Sequence, residues 1–318
     1  MKEIEFYIKE KKFTLSNSWE ELSPEQYEAL ISDVQLFAEG KLSAAMVKVN
    51  YVCRSLGIQR KHIKDEDAVC NLAWLSEQVT FPFVIVYPDN DAALEGLDPE
   101  MKTKFKRIPP ERMNGHALAR YLSKLEYNFA LDGSFCAQLV PVIKVGTKLY
   151  KGYKIDASFN VLTCSLTALQ YIEAREVMAA NNLPLLAAIL YSPQPYSSDN
   201  AQQLAAEFNK LPQSTLQAIA FNFMAFNNFL FKKTDYAILT EGSSENKPIS
   251  TGALESLYNL SADGLGNSDE VEQMNLIKYL TIMRKKLIES VKSLKAANMD
   301  NAKISEETGL PIHIITKI

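Results

Sequence analysis

The sequence predicts an α+β fold, predominantly α-helical with small antiparallel β-hairpins or sheets. Three observations carry that expectation. Several segments repeat apolar residues at three-and-four spacing, as in Tyr27, Leu30, Ile31, Val34 and Phe37, which lines one face of a helix. Shorter segments set aromatic and β-branched residues around a polar tip or central glycines, as in "IEFYIKEKKFTL" and "VIKVGTKLYKGYKI", the pattern of hairpins. Hydroxyl residues and proline stand where helices would begin, and glycine where they would end.

Taken in order, residues 4–15 read as a hairpin turning at "KEKK". A helix follows from Ser23 to Phe37, ended by Gly40, and a second from Ser43 to Leu56, stopped by Gly57. A short helix around "AVCNLAWLSEQV" leads into the apolar strand "FPFVIVYP". Residues 88–115, with prolines, glycines and the basic cluster "KTKFKRIPPER", read as a surface connection. "GHALARYLSKLEYNFAL" reads as an amphipathic helix, and "QLVPVIKVGTKLYKGYKIDASFNVL" as two or more strands. Helices are then expected from Thr167 to about Ala180, over "LPLLAAILYSP", over "NAQQLAAEFNKL" and over "PQSTLQAIAFNFMAFNNFLFKK". "EGSSENKPISTG" reads as a linker or large loop, and "EVEQMNLIKYLTIMRKKLIESVKSLKAA" as one long helix with a basic second half. The domain expectation is a hairpin with helices over 1–88, a basic connection over 89–115, a small sheet with apolar helices over 116–240, and a helical segment over 253–318.

Two of the helix starts share one chemistry. In "LSPEQY", Ser23 fits the N-cap, Pro24 the first helical position, Gln26 the reciprocal capping position, and Leu22 with Tyr27 a hydrophobic staple. In "LTALQY", Thr167, Gln170, Leu166 and Tyr171 fill the same roles apart from the proline. Each cap is worth roughly 1 kcal/mol, which explains the likeness locally. A duplicated strand-strand-helix-helix unit is a second reading of it.

The 318 residues are 47% hydrophobic and 23% charged with net charge -4, an ordinary globular balance that argues against nucleic acid binding over the whole surface. The N-terminus has no apolar core of signal-peptide length, and the longest apolar window, Leu216 to Phe231, is interrupted by three Asn, so no membrane association is expected. Cys53, Cys70, Cys136 and Cys164 form no C-x-x-C pair and are expected as buried free thiols.

No phosphate-binding loop, dinucleotide fingerprint, H-E-x-x-H or G-x-S-x-G occurs, and His62, His116 and His313 lie far apart. No catalytic residue, cofactor or metal is therefore expected. The acidic runs Asp65, Glu66, Asp67 and Asp89, Asp91 read as exposed turns. The aromatic series from Phe221 to Phe231 lacks the interleaved arginines of a base-stacking platform and reads as a packed core or a groove for an apolar partner segment. As partner-binding candidates the pattern offers Leu185, Leu186, Leu190, Phe221, Phe223, Met224, Phe226 and Phe229. An alternative, DNA contact, rests on Arg284, Lys285, Lys286, Lys292 and Lys295 with the helix-turn-helix-like end "ISEETGLP". A motif-free hydrolase or transferase is the third class.

The segments "SWEELSPEQYEAL", "KLYKGYKIDASFNVLTCSLTALQYIEA" and "LPLLAAILYSPQPYSSDNAQQLAAEFNKLPQSTLQAIAFNFMAFNNFL", within residues 13–240, resemble tail-assembly chaperones and tail-region structural proteins of tailed bacteriophages. That resemblance implies a non-enzymatic protein whose partner is a phage tail tube or tape-measure protein or another copy of itself. It also implies the host cytoplasm, or the virion, as its location.

Overall fold

The computed structural model describes residues 2–8, 10–63, 65–86, 97–107, 128–240 and 254–318. Of the described residues 59% are helical and 13% lie in two-stranded antiparallel sheets, so the fold is α+β and predominantly helical. It divides into two compact units, Met1–Gly133 and Ser134–Ile318.

The first unit opens with β1 (Glu3–Ile8) and β2 (Lys11–Ser16), paired so that Ile4 faces Leu15 and Phe6 stacks on Phe13. Helices α1 (Pro24–Ala38) and α2 (Ala44–Ser55) follow, with Gly40 and Gly57 at positive φ beyond their ends. The expected capping box of α1 is present: the Ser23 hydroxyl accepts from Gln26 N–H while the Gln26 side chain accepts from Ser23 N–H. Asp33 of α1 and Arg54 of α2 are joined by an ion pair of 2.5 Å. Helix α3 (Glu66–Gln78) begins at Asp65, which accepts from Ala68 N–H, so that member of the acidic run is a helix cap. The core gathers on Trp19, whose ring meets Phe81 and Tyr27 edge to face and whose Nε1 donates to Asp132 O at 2.7 Å.

Strand β3 (Phe83–Val86) forms as its apolar run suggests, and it pairs antiparallel with β4 (Asn128–Leu131). This corrects the helix expected up to Leu131. The "NFAL" tetrapeptide is held extended by its ladder to β3, with Phe129 against Phe83, and strand pairing overrides the local helical pattern. The rest of that expected helix lies outside the described residues. Within the stretch read as a connection, α4 (Pro99–Arg107) is a helix capped by Asp98, which accepts from Met101 N–H. The remainder of the stretch, apart from Leu97 and Asp98, is outside the described residues, as is the linker expected at 241–252.

The second unit begins with two hairpins, β5 (Val142–Val145) with β6 (Lys148–Lys151) and β7 (Ile155–Asp156) with β8 (Thr163–Cys164). Gly146, at φ +60, starts the two-residue turn of the first. Then come α5 (Ala168–Ala179), α6 (Leu183–Leu190), α7 (Ser198–Phe208) and α8 (Gln213–Lys233). The second capping box is also formed, and Gln170 does more than cap: buried, it donates to Ile189 O at 2.6 Å and so ties α5 to the end of α6.

Helices α9 (Leu254–Ala262), α10 (Ser268–Glu272), α11 (Leu276–Ala296), α12 (Asn301–Thr308) and α13 (Ile312–Ile315) complete the chain. The single helix expected from Glu270 onward is thus two. The break has a cause in remote contacts: Met274 O accepts from Ala168 N–H, Leu276 N–H donates to Leu166 O, and Asn275 Nδ2 donates to Cys164 O. Residues held in that bridge cannot also continue a helix. Near the C-terminus, Val291, Ile304, Leu310 and Ile315 bury one another in a small separate cluster.

Candidate functional site

The apolar stripe proposed for a partner is placed mainly in the interior of the second unit. Leu186, Leu190, Phe223 and Phe226 are buried, while Leu185, Phe221, Met224 and Phe229 are half-buried. Phe223 is 0% exposed, with the Tyr153 and Tyr171 rings edge-on to it. Of the two readings of the stripe, packed core or partner groove, Leu186, Leu190, Phe223 and Phe226 follow the first. Three-and-four spacing says that a helix has an apolar side, and here α5, α6 and α8 turn those sides toward one another.

Two of the asparagines that interrupt the apolar window are structural. Asn222 Oδ1 accepts from Leu139 N–H and its Nδ2 donates to Ala137 O, both at 2.7 Å. Asn227 Oδ1 accepts from the Tyr171 hydroxyl at 2.6 Å, and its Nδ2 donates to Phe223 O. Among the described residues no helix is long and apolar enough to cross a membrane.

Three of the five basic residues offered for phosphate are already engaged. Arg284 pairs with Asp235 at 3.3 Å, Lys286 pairs with Asp263, and Lys295 Nζ donates to Ile315 O at 2.7 Å. Lys285 and Lys292 are exposed. In the C-terminal segment, Gly309 ends α12 at φ 72 as the turn pattern suggests, while Ile315 of the short α13 is buried in the local cluster. That burial removes it from any groove-reading surface.

A half-open pocket of about 200 Å³ lies among Leu169, Glu173, Ser198, Tyr258, Ser268 and Glu272. It is smaller than the roughly 300–1,000 Å³ of ordinary ligand sites. Both oxygens of Glu173 accept hydrogen bonds, one from the Ser198 hydroxyl at 2.6 Å and the other from the Tyr196 hydroxyl. Burial, then the hydrogen bond to Glu173 and its charge, push the Tyr196 phenol far above its ordinary range. Such a phenol stays protonated and cannot act as a base at neutral pH. The arrangement fastens the start of α7 to α5.

The thiols divide by position. Cys53 and Cys164 are buried, Cys136 is half-buried, and Cys70 is exposed, which corrects the expectation of four buried thiols. Burial pushes the Cys164 thiol up to about 12, away from the thiolate form that a nucleophile needs. His62 and His313 are exposed, and His116 lies outside the described residues, as do Asp89 and Asp91. Among the described residues no three His, Cys, Asp or Glu side chains converge as a metal site.

What the spacing did not single out is a set of exposed apolar side chains on the two hairpins. Val142 is 46% exposed, Leu149 69%, Val161 62% and Phe159 97%. Phe159 also has φ 55, in the left-handed region that a bulky residue rarely adopts, within a turn that Asp156 holds by accepting from Ser158 N–H. Asp, Ser and Asn around Phe159 announce a turn, but nothing local announces a bare phenyl ring on it. In the first unit, α3 exposes Val69, Cys70, Ala73 and Trp74 along one side. No known protein family, curated protein or solved structure matches the chain.

Proposed function

We propose that the chain is a non-enzymatic protein-binding protein that takes part in phage tail assembly. In this reading it holds another tail protein, of the tube or tape-measure kind, through exposed apolar side chains of its second unit. The observation that carries the binding part is the exposure of Val142, Leu149, Phe159 and Val161 on successive hairpins, while the apolar helices behind them are occupied with their own packing. Covering such side chains is favourable by roughly 25 cal/mol per Å² of apolar surface, so a client can be held without chemistry. The tail-assembly part rests on the resemblance of the segments within residues 13–240. A DNA contact through α11 draws less support, because Arg284, Lys286 and Lys295 already have partners.

The test is retention of neighbouring gene products by the tagged full chain, identified by mass spectrometry with and without nuclease. A tail tube or tape-measure protein that survives nuclease is the expected result. Retention of nucleic-acid-linked material alone, or of nothing, contradicts the proposal.

A further inference from the structure

We infer that the outer face and free edge of the β5–β6 hairpin form a docking site for an extended, acidic segment of a partner protein. The inference rests on the protein-binding reading above and specifies its surface and the chemistry of its client.

The register sets the face. Val142 lies opposite Lys151 and Lys144 opposite Leu149, and directly opposed side chains share one side of a sheet. All four are exposed, whereas Ile143 and Val145 point to the core from the other side. Two aliphatic and two cationic side chains therefore alternate on one small outward surface. Between Val142 and Thr163 the sequence carries Lys144, Lys148, Lys151 and Lys154 against the single acid Asp156, in a chain whose net charge is -4. Lys148 has Glu207 at 3.8 Å, and among the described residues no carboxylate lies within ion-pair distance of Lys144, Lys151 or Lys154.

The edge narrows the choice of occupant. Among the described residues no third strand joins this sheet, and the backbone of Lys148–Lys151 makes no hydrogen bond except to β5. Unpaired N–H and C=O groups along a strand are a template that another polypeptide can satisfy in register. A nucleic acid or a lipid surface could use the lysines but not this edge. A second copy presenting the same edge would bring lysine against lysine, which is repulsive. An extended segment with an acidic and an apolar residue two positions apart, and so on one face, matches the edge, the charges and the aliphatic positions together, because Leu149 and Lys151 are themselves two positions apart on the outward face.

The probe is a labelled synthetic peptide of repeating Glu-Thr-Val-Thr, which sets glutamate and valine in turn along one face of a strand, titrated with the full chain by fluorescence anisotropy. A Lys-Thr-Val-Thr repeat of the same length, a labelled oligothymidylate and phosphatidylserine vesicles run beside it. Binding of the Glu-Thr-Val-Thr peptide is expected, weakened about tenfold or more by the pair Lys144→Glu and Lys151→Glu, and also by Leu149→Ser. These positions are exposed, and unchanged circular dichroism of the variants verifies the fold. Absence of binding, binding unchanged in the variants, or tighter binding of oligothymidylate or vesicles through the same lysines overturns the inference. A separate arm compares retention of tail proteins by the parent chain and the charge-reversed variant. Equal retention overturns this surface while leaving the protein-binding reading intact. If the parent chain retains no tail protein yet binds the peptide, the tail-assembly reading fails and the docking site stands.

Discussion

Phe223→Ala separates an interior role for the aromatic stripe from a binding role. The ring is fully buried, with Tyr153 at 6.4 Å and Tyr171 at 6.0 Å between centroids. Removing a buried phenyl ring loses its transfer energy and leaves a cavity, together about 3–5 kcal/mol. A folded unit has only about 5–15 kcal/mol in total, so the loss is a large fraction of its stability. With a urea slope of about 2 kcal/mol per M, the unfolding midpoint should fall by about 2 M. Leu149→Ala, at an exposed position, should change stability by no more than about 0.5 kcal/mol. Urea titration followed by far-ultraviolet circular dichroism reads both. If Phe223→Ala leaves the midpoint as little changed as Leu149→Ala does, the packing argument for α8 is wrong and its stripe regains a claim as a contact surface.

Six other variants probe the caps, a buried amide and a buried thiol. Asn222→Leu strips Leu139 N–H and Ala137 O of their partners, and thermal unfolding should report a loss of about 2–4 kcal/mol. Thr167→Ala should cost about 1 kcal/mol, as should Ser23→Ala in the other unit; Gln170→Ala should cost more than Gln26→Ala, because only Gln170 also bonds Ile189 O. Cys164 predicts an alkaline effect, since burial raises its thiol from 9.0 to about 12. Below pH 9 both states keep the proton and its contribution is complete. From there to about 12 the unfolded chain loses it first, so stability falls as pH rises. Cys164→Ala should flatten that fall in urea titrations across the alkaline range, and an unchanged slope would place its cause elsewhere.

The parts legible in the sequence are those set by neighbouring residues. The β1–β2 hairpin, the two capping boxes and the ends of α1 and α2 follow from side chains a few positions apart, so local chemistry decides them. The strand Asn128–Leu131 was hidden because its conformation depends on β3, more than forty residues earlier in the chain. The break before α11 was hidden for the same reason, since its cause is the contact of Met274, Asn275 and Leu276 with Cys164, Leu166 and Ala168. At the candidate site, periodicity found the apolar faces of α6 and α8 but could not say whether they meet solvent or one another. The alternation in "KVGTKLYK" marked a hairpin, yet which of its sides is covered depends on packing from elsewhere in the unit. Leu149 and Phe159 thus carry the exposed apolar surface without any local sign of it.

Hydrogen exchange of the full chain, alone and bound to a retained tail protein, tests the central claim most directly. Backbone amides of the β6 edge that lack partners in the free chain gain them if a client strand pairs there. The account predicts new protection in peptides covering Val142–Lys151, with α6 and α8 already slow to exchange in the free protein. Protection confined to other segments, with exchange over Val142–Lys151 unchanged on binding, would contradict it.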